Sequence, residues 1–313
     1  MLSYAAKRIA MAVPTALIVS LLVFVMIRLI PGDPVALMLG EAGDPAQVQE
    51  MRAALGLDQP LPQQFAAWAG RALHGDLGNS VKTGEPVADL IMQHFPVTAQ
   101  VVLAATLLAC LVALPAGMLA AWRQNRWPDL AIVSGAILLV SVPSFWAGIV
   151  LIWLFGVKLN WLPTFGFESV ATGGWAALQY MVLPVVAIAL TEIAALARMM
   201  RASTIDVLRL EYIAHARAKG LPERRVMLRH AFPNAFGPAL TVIGLVLGHL
   251  LSGAAVIETV FTLPGLGRLL VESIYARDYP VVQGCLLFVA LLYVFVNLVI
   301  DLLYPLFDPR IKL

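Results

Sequence analysis

Arg-Met-Met-Arg-Ala-Ser-Thr-Ile-Asp-Val-Leu-Arg-Leu-Glu-Tyr-Ile-Ala-His-Ala-Arg-Ala-Lys-Gly-Leu-Pro-Glu-Arg-Arg-Val-Met-Leu-Arg-His-Ala-Phe-Pro-Asn (198–234) lies between two apolar stretches near the middle of the chain. It carries eight basic residues: Arg198, Arg201, Arg209, Arg217, Lys219, Arg224, Arg225 and Arg229. Short loops rich in Lys and Arg resist translocation, so in a membrane protein such a segment belongs on the cytoplasmic side. It is long enough to fold into small helices that a cytosolic partner can grip. The pattern is that of a membrane channel driven by a separate protein.

Composition supports the membrane. The 313 residues are 60% hydrophobic and 13% charged, with mean hydropathy +0.85. Soluble domains carry about 25% charged residues, so a chain this apolar takes the bilayer as its solvent. A net charge of +2, without a basic face on a soluble domain, argues against nucleic-acid binding. Cys110 and Cys285 fall in apolar segments and read as small hydrophobes; neither a disulfide framework nor a zinc spacing exists. The first apolar run, 9–30, follows Lys7 and Arg8. About 22 residues, roughly 33 Å as a helix, exceed a signal-peptide core and read as a retained membrane anchor.

Six runs are long enough to span: 9–30, 97–121, 129–156, 180–200, 235–257 and 281–304. Lys7 and Arg8, Arg123 and Arg126, the eight of 198–234, and Arg310 and Lys312 place 14 of 21 basic residues on one side. Both termini are therefore expected in the cytoplasm of a multi-pass membrane protein. The reading is an all-α membrane protein of six transmembrane helices. Its expected parts are a cytoplasmic N-terminus with the first helix (1–30), a small extracytoplasmic domain (31–96) and a five-helix core (97–304). The core holds a cytoplasmic segment 201–233, and a cytoplasmic C-terminus (305–313) follows. The 31–96 loop is net negative, with eight acids against Arg52, Arg71 and Lys82. Asp44-Pro45 followed by 46–55 and Gly56 has helix start and stop signals. Trp161-Leu162-Pro163 suits an interfacial belt. The segment 258–280 reads as a re-entrant or interfacial helix on the outer side.

Within the basic segment, Ser203 or Thr204 is a candidate cap, 205–219 is helix-permissive, and Gly220 is a stop. Leu221-Pro222-Glu223 then starts another helix. Helix, glycine turn, helix outside the membrane makes a rigid knob for a partner groove. Ala216 and Ala218 are small enough for close approach to such a groove.

Gly220 and Pro233 have the thirteen-residue separation of the Gly and Pro in the "EAA" signature of ABC importer permeases; Ala216 matches its third position and Phe232 its penultimate apolar one. Supporting motifs are Ile30-Pro31-Gly32-Asp33-Pro34, Leu55-Gly56-Leu57-Asp58, Gly75-Asp76-Leu77-Gly78, Pro264-Gly265-Leu266-Gly267-Arg268, Arg277-Asp278-Tyr279-Pro280-Val281-Val282-Gln283, Asp301-Leu302-Leu303-Tyr304 and Asp308-Pro309-Arg310. The chain thus resembles, over nearly its whole length, the dipeptide, oligopeptide, glutathione and nickel branch of those permeases. One departure is Ala214 in place of the signature's Glu; the nearest is Glu211.

The resemblance implies a type I importer fold and a second homologous permease subunit, the two forming a heterodimer. It also implies two cytosolic ABC ATPases and an extracytoplasmic solute-binding protein. The helix near 211–220 would couple to the ATPases, with Glu211, Ala216, Arg217, Lys219, Gly220, Leu221 and Pro233 as its residues. The implied cargo is small peptides, glutathione included, with a nickel complex as the alternative. The chain is then no enzyme, and it has no expected catalytic, cofactor or metal residues. ATP with magnesium belongs to the partners, because none of the five lysines follows a glycine as a phosphate loop requires. No protease motif is present.

Glu192, His249, Asn297 and Asp301 lie in or beside the apolar runs. A charge at a helix centre costs about 2.5–3.5 kcal/mol, so such groups face protein or water. Glu192 and His249 are candidates for the substrate pathway or for an interhelical hydrogen bond; Asp301, near a helix end, favours a structural role. Ser141 and Ser144, flanking Pro143, either line the pathway or satisfy carbonyls that the proline frees. A proton-coupled secondary transporter is the rival class, and it would need a longer chain of such groups.

Overall fold

The computed structural model describes residues 2–29, 46, 49, 52, 58–168 and 170–307. With no water to satisfy backbone groups, apolar runs must close their hydrogen bonds internally, and helices do so. The helices are α1 Leu2–Arg28, α2 Leu61–Leu73, α3 Val87–Trp122, α4 Trp127–Ser141, α5 Ser144–Leu151, α6 Val170–Leu208, α7 Glu211–Ala218, α8 Phe232–Val260, α9 Leu266–Tyr275 and α10 Tyr279–Phe307. Ile152–Lys158 extends α5 as a π-helix, and Val226–Ala231, also π-helical, leads into α8 after a single turn, Glu223–Arg225. Among the described residues the only β contact is an isolated bridge between Asn79 and Pro86. Of the helix expected after Asp44, only Ala46, Gln49 and Arg52 are described; the rest of it, the 30–34 motif and the tail from 308 lie outside the described residues.

Among the described residues, five stretches are long and apolar enough to cross a membrane: Tyr4–Arg28, Val87–Trp122, Ala176–Leu208, Glu223–Leu250 and Tyr279–Leu303. The third run read from the sequence as one span is instead two helices, Trp127–Ser141 and Ser144–Lys158, bent by 95°. They make a sixth span if they cross as one. Pro143 causes the break: it lacks an N–H and pushes the preceding residue out of the helical region, and Val142 takes φ −101° and ψ 118°.

The chain packs as two compact units that do not follow chain order. The first takes the described residues of Met1–Arg8, Thr98–Leu263 and Val296–Leu313. Its centre is α6, against which α4, α5 and α8 all pack. Gly117 on α3 permits a close helix crossing; a Cβ there would lie 2.6 Å from the Ala197 carbonyl oxygen. The two chain ends meet, with Arg8 donating to the Asp301 carboxylate at 2.7 Å and Tyr4 Oη to its carbonyl at 3.1 Å. Asp301 thus has the structural role favoured for it.

The second unit takes the described residues of Ile9–Val97 and Pro264–Phe295. Phe24 of α1 packs edge-on against Phe65 of α2 at 5.3 Å between centroids and against Trp68 at 5.6 Å. Val87 and Ile91 of α3 pack with Leu266 and Cys285. Asp278 ties the loop before α3 to the start of α10. Its carboxylate accepts from Ser80 Oγ at 2.5 Å and from the amides of Val81 and Lys82 at 3.2 and 3.3 Å. Helix α9 occupies the 258–280 segment: Leu266 is buried, while Arg268 and Glu272 pair at 2.7 Å on the exposed side.

Candidate functional site

Helix α6 runs past the candidate caps at Ser203 and Thr204. Ser203 Oγ donates to the Ala235 carbonyl of α8 at 2.8 Å, and Thr204 is fully buried. The break comes later, at Arg209 and Leu210, and the short helix starts at Glu211 after an extended Leu210. No side chain caps it; Glu211 in the first turn complements the helix dipole.

Its other end is fully built. Gly220 has φ +75°, a conformation open to glycine and costly for other residues. The Gly220 amide donates to the Arg217 carbonyl at 2.9 Å and the Leu221 amide to the Ala216 carbonyl at 3.4 Å, the two bonds of a Schellman stop. Arg217 then reaches across the turn, Nη2 to Glu223 Oε1 at 2.6 Å and Nε to Oε2 at 3.1 Å. These bonds raise the Arg217 pKa above its ordinary value, so it stays charged.

The helix has an inward and an outward face. Ile213 and Ala216 are 0% and 7% exposed, in a core with Met200 and Val207 of α6, Met227 and Ala239. Leu221 packs against the same core. Glu211, Ala214, His215, Arg217, Ala218, Lys219 and Gly220 point out, and Pro233 is exposed in the first turn of α8. The expectation that Ala216 meets a partner's groove is therefore corrected. Its side chain faces this chain's own core, three residues on from Ile213, as helical periodicity requires. Ala218 and Ala214 occupy the outer face.

The polar groups of the long helices sort differently. Glu192 on α6 is 9% exposed, and His249 on α8 is exposed but within electrostatic reach of it. Ser141 Oγ donates to the Ile137 carbonyl at 2.9 Å, within its own helix. The Leu139 carbonyl, which Pro143 cannot bond, instead accepts from the Val142 amide at 3.4 Å. Ser144 opens α5 and is half-buried.

Two buried acids escaped the sequence reading. Asp129, 2% exposed, holds Arg201 of α6 through two hydrogen bonds of 2.5 and 2.7 Å and accepts from the Asn125 amide at 2.8 Å. Glu258, fully buried, accepts from Thr98 Oγ1 at 2.5 Å. Each is a lone acid at the edge of an apolar run, and that position was the available signal.

An all-α chain with five continuous apolar spans among its described residues, and a short helix with a glycine stop between two of them, is a multi-pass membrane protein with a polar handle. This chain belongs to the family described as the binding-protein-dependent transport system inner membrane component, which matches residues 113–313; the family's N-terminal part matches 1–102. It is 42% identical over 306 residues to a Brucella abortus (strain 2308) protein provisionally named a peptide transport system permease, covering 98% of each chain. It is also 42% identical over 312 residues to the glutathione transport system permease protein of Escherichia coli (strain K12), covering 100% of this chain and 99% of that one. A further relative, from Brucella suis biovar 1 (strain 1330), carries the same provisional peptide-permease name at 42% identity, covering 97% of each chain.

Proposed function

We propose that this chain is the permease subunit of an ATP-driven importer for small peptides, glutathione included. In this reading it forms half of the translocation pathway beside a second, homologous subunit. Two cytosolic ATPases dock on α7, and an extracytoplasmic binding protein delivers the cargo. Both termini and α7 lie in the cytoplasm, and 31–96 lies outside. The observation that carries the coupling role is the construction of α7. Its inner face is locked into the core beneath it, its end is fixed by Gly220 and the Arg217–Glu223 pair, and its outer face is left polar. A helix held this way transmits a push rather than absorbing it. The names of the relatives support the cargo.

Gly220→Val tests the coupling. A β-branched residue resists φ +75°, so the stop unravels while the spans remain. The expected outcome is normal membrane insertion with loss of ATPase co-purification and of ATP-driven glutathione or dipeptide uptake. Wild-type levels of both would remove α7 from the coupling role. Orientation is tested by cysteines placed at Asp58 and Arg224: an impermeant reagent applied to intact cells should label the first alone.

A further inference from the structure

A groove of about 670 Å³ runs along the outer side of α3 and the stretch leading into α8. Leu107, Leu111, Pro115, Trp122 and Leu228 line it, and the one charged group on its wall is Arg224. Its volume falls within the roughly 300–1,000 Å³ of sites that hold small organic ligands. Leu107, Leu111 and Leu228 are 64%, 73% and 55% exposed, so this is an open apolar trough on a membrane-crossing helix. Arg224 pairs with no acid among the described residues, whereas Arg217, at the end of α7, is bonded to Glu223. Trp122 ends α3 with the Arg123 guanidinium 4.8 Å from its ring, an aromatic–basic pair of the kind that marks a headgroup layer. An open apolar trough with a single cation, unpaired among the described residues, on its wall matches the charge pattern of one amphiphile.

We propose that this groove binds an anionic phospholipid, with an acyl chain along α3 and its phosphate on Arg224. Met118 and Met227 line the groove and also belong to the core beneath α7. A bound lipid would therefore brace the seat of that helix. The site rests on the membrane-spanning reading of α3 and is independent of the cargo.

The test uses the purified transporter with all its subunits, in detergent, supplied with phosphatidylglycerol or phosphatidylcholine and read by native mass spectrometry. Wild type should retain phosphatidylglycerol about fivefold over phosphatidylcholine, the ratio that one cation beside an anionic surface supports. Arg224→Gln should remove that preference while phosphatidylcholine retention stays unchanged. Leu111→Trp, which fills the trough, should reduce both. No preference in wild type, or a preference that survives Arg224→Gln, overturns the proposal. A photo-reactive side chain at position 111 separates the remaining occupant. Cross-links to lipid support the assignment, and cross-links to the second permease subunit make the groove a protein interface and overturn it.

Discussion

Helix α6 carries one member of each of two pairs of ionisable side chains, and the pairs differ in what they bond. Near its C-terminal end, Arg201 and the buried Asp129 form a two-pronged ion pair, and the Asn125 amide takes up further acceptor capacity. Near its middle, Glu192 is also buried, at 9% exposed against 2% for Asp129, and it forms no ion pair with His249. A pair whose hydrogen bonds are complete has nothing to offer a ligand and everything to lose by mutation. A pair left open in an apolar setting is free to meet water or cargo. The same helix thus has a clamped end, which seats α7, and an open middle.

The clamped end makes the largest prediction. Asp129→Ala removes two charge-assisted bonds from Arg201, whose side chain is 25% exposed, and strands the Asn125 amide, at a cost of about 3 kcal/mol. Melting of the purified protein should fall accordingly, and Arg201→Ala should add little to it, because the two act as one unit. Additive losses would mean that the pair is not coupled.

Next in size is a contrast across α7. Ala216→Trp forces an indole into the core around Ile213 and Met200 and should cost about 1–3 kcal/mol in melting experiments. Ala218→Trp projects outward and should leave melting unchanged while abolishing ATPase co-purification. Equal melting of the two variants would reverse the assignment of faces. Smaller still is Arg217→Ala. The Arg217 side chain is 42% exposed, so losing its partner Glu223 should cost at most about 1 kcal/mol.

These contrasts also mark what the sequence made legible. The fold class followed from six apolar runs, because bilayer thickness fixes helix length. Gly220 was readable as a stop, because few residues tolerate its backbone. The 95° break at Pro143 was not, since run length alone cannot separate one kinked span from two helices at a corner. The facing of Ala216 was implicit in its i,i+3 relation to Ile213, but two turns give too little periodicity to tell core from surface without knowing what lies beneath. Asp129 and Arg201 stand 72 residues apart, and only the fold brings such partners together. The site residues divide likewise. Gly220 as a stop follows from local pattern and Glu211, Arg217 and Lys219 from the resemblance, whereas which face of the helix is buried, and the difference between Asp129 and Glu192, depend on partners that no spacing reveals.

The smallest effect on stability is predicted at the open middle, and it is the sharpest test of the comparison. Glu192→Gln keeps the shape of the side chain and removes its ionisable group. If the carboxylate contributed to a structural ion pair with His249, the loss would resemble that of Asp129→Ala in kind. The carboxyl makes no ion pair among the described residues, so melting should shift by no more than a few tenths of a kcal/mol, the range of a substitution that breaks no bond. Transport should change all the same if Glu192 lines the pathway, since an ionisable group there meets the moving cargo. His249→Ala should behave alike, with uptake altered and assembly intact. Normal uptake with lowered melting in both variants would make this second pair a clamp like the first and would erase the distinction between the two ends of α6.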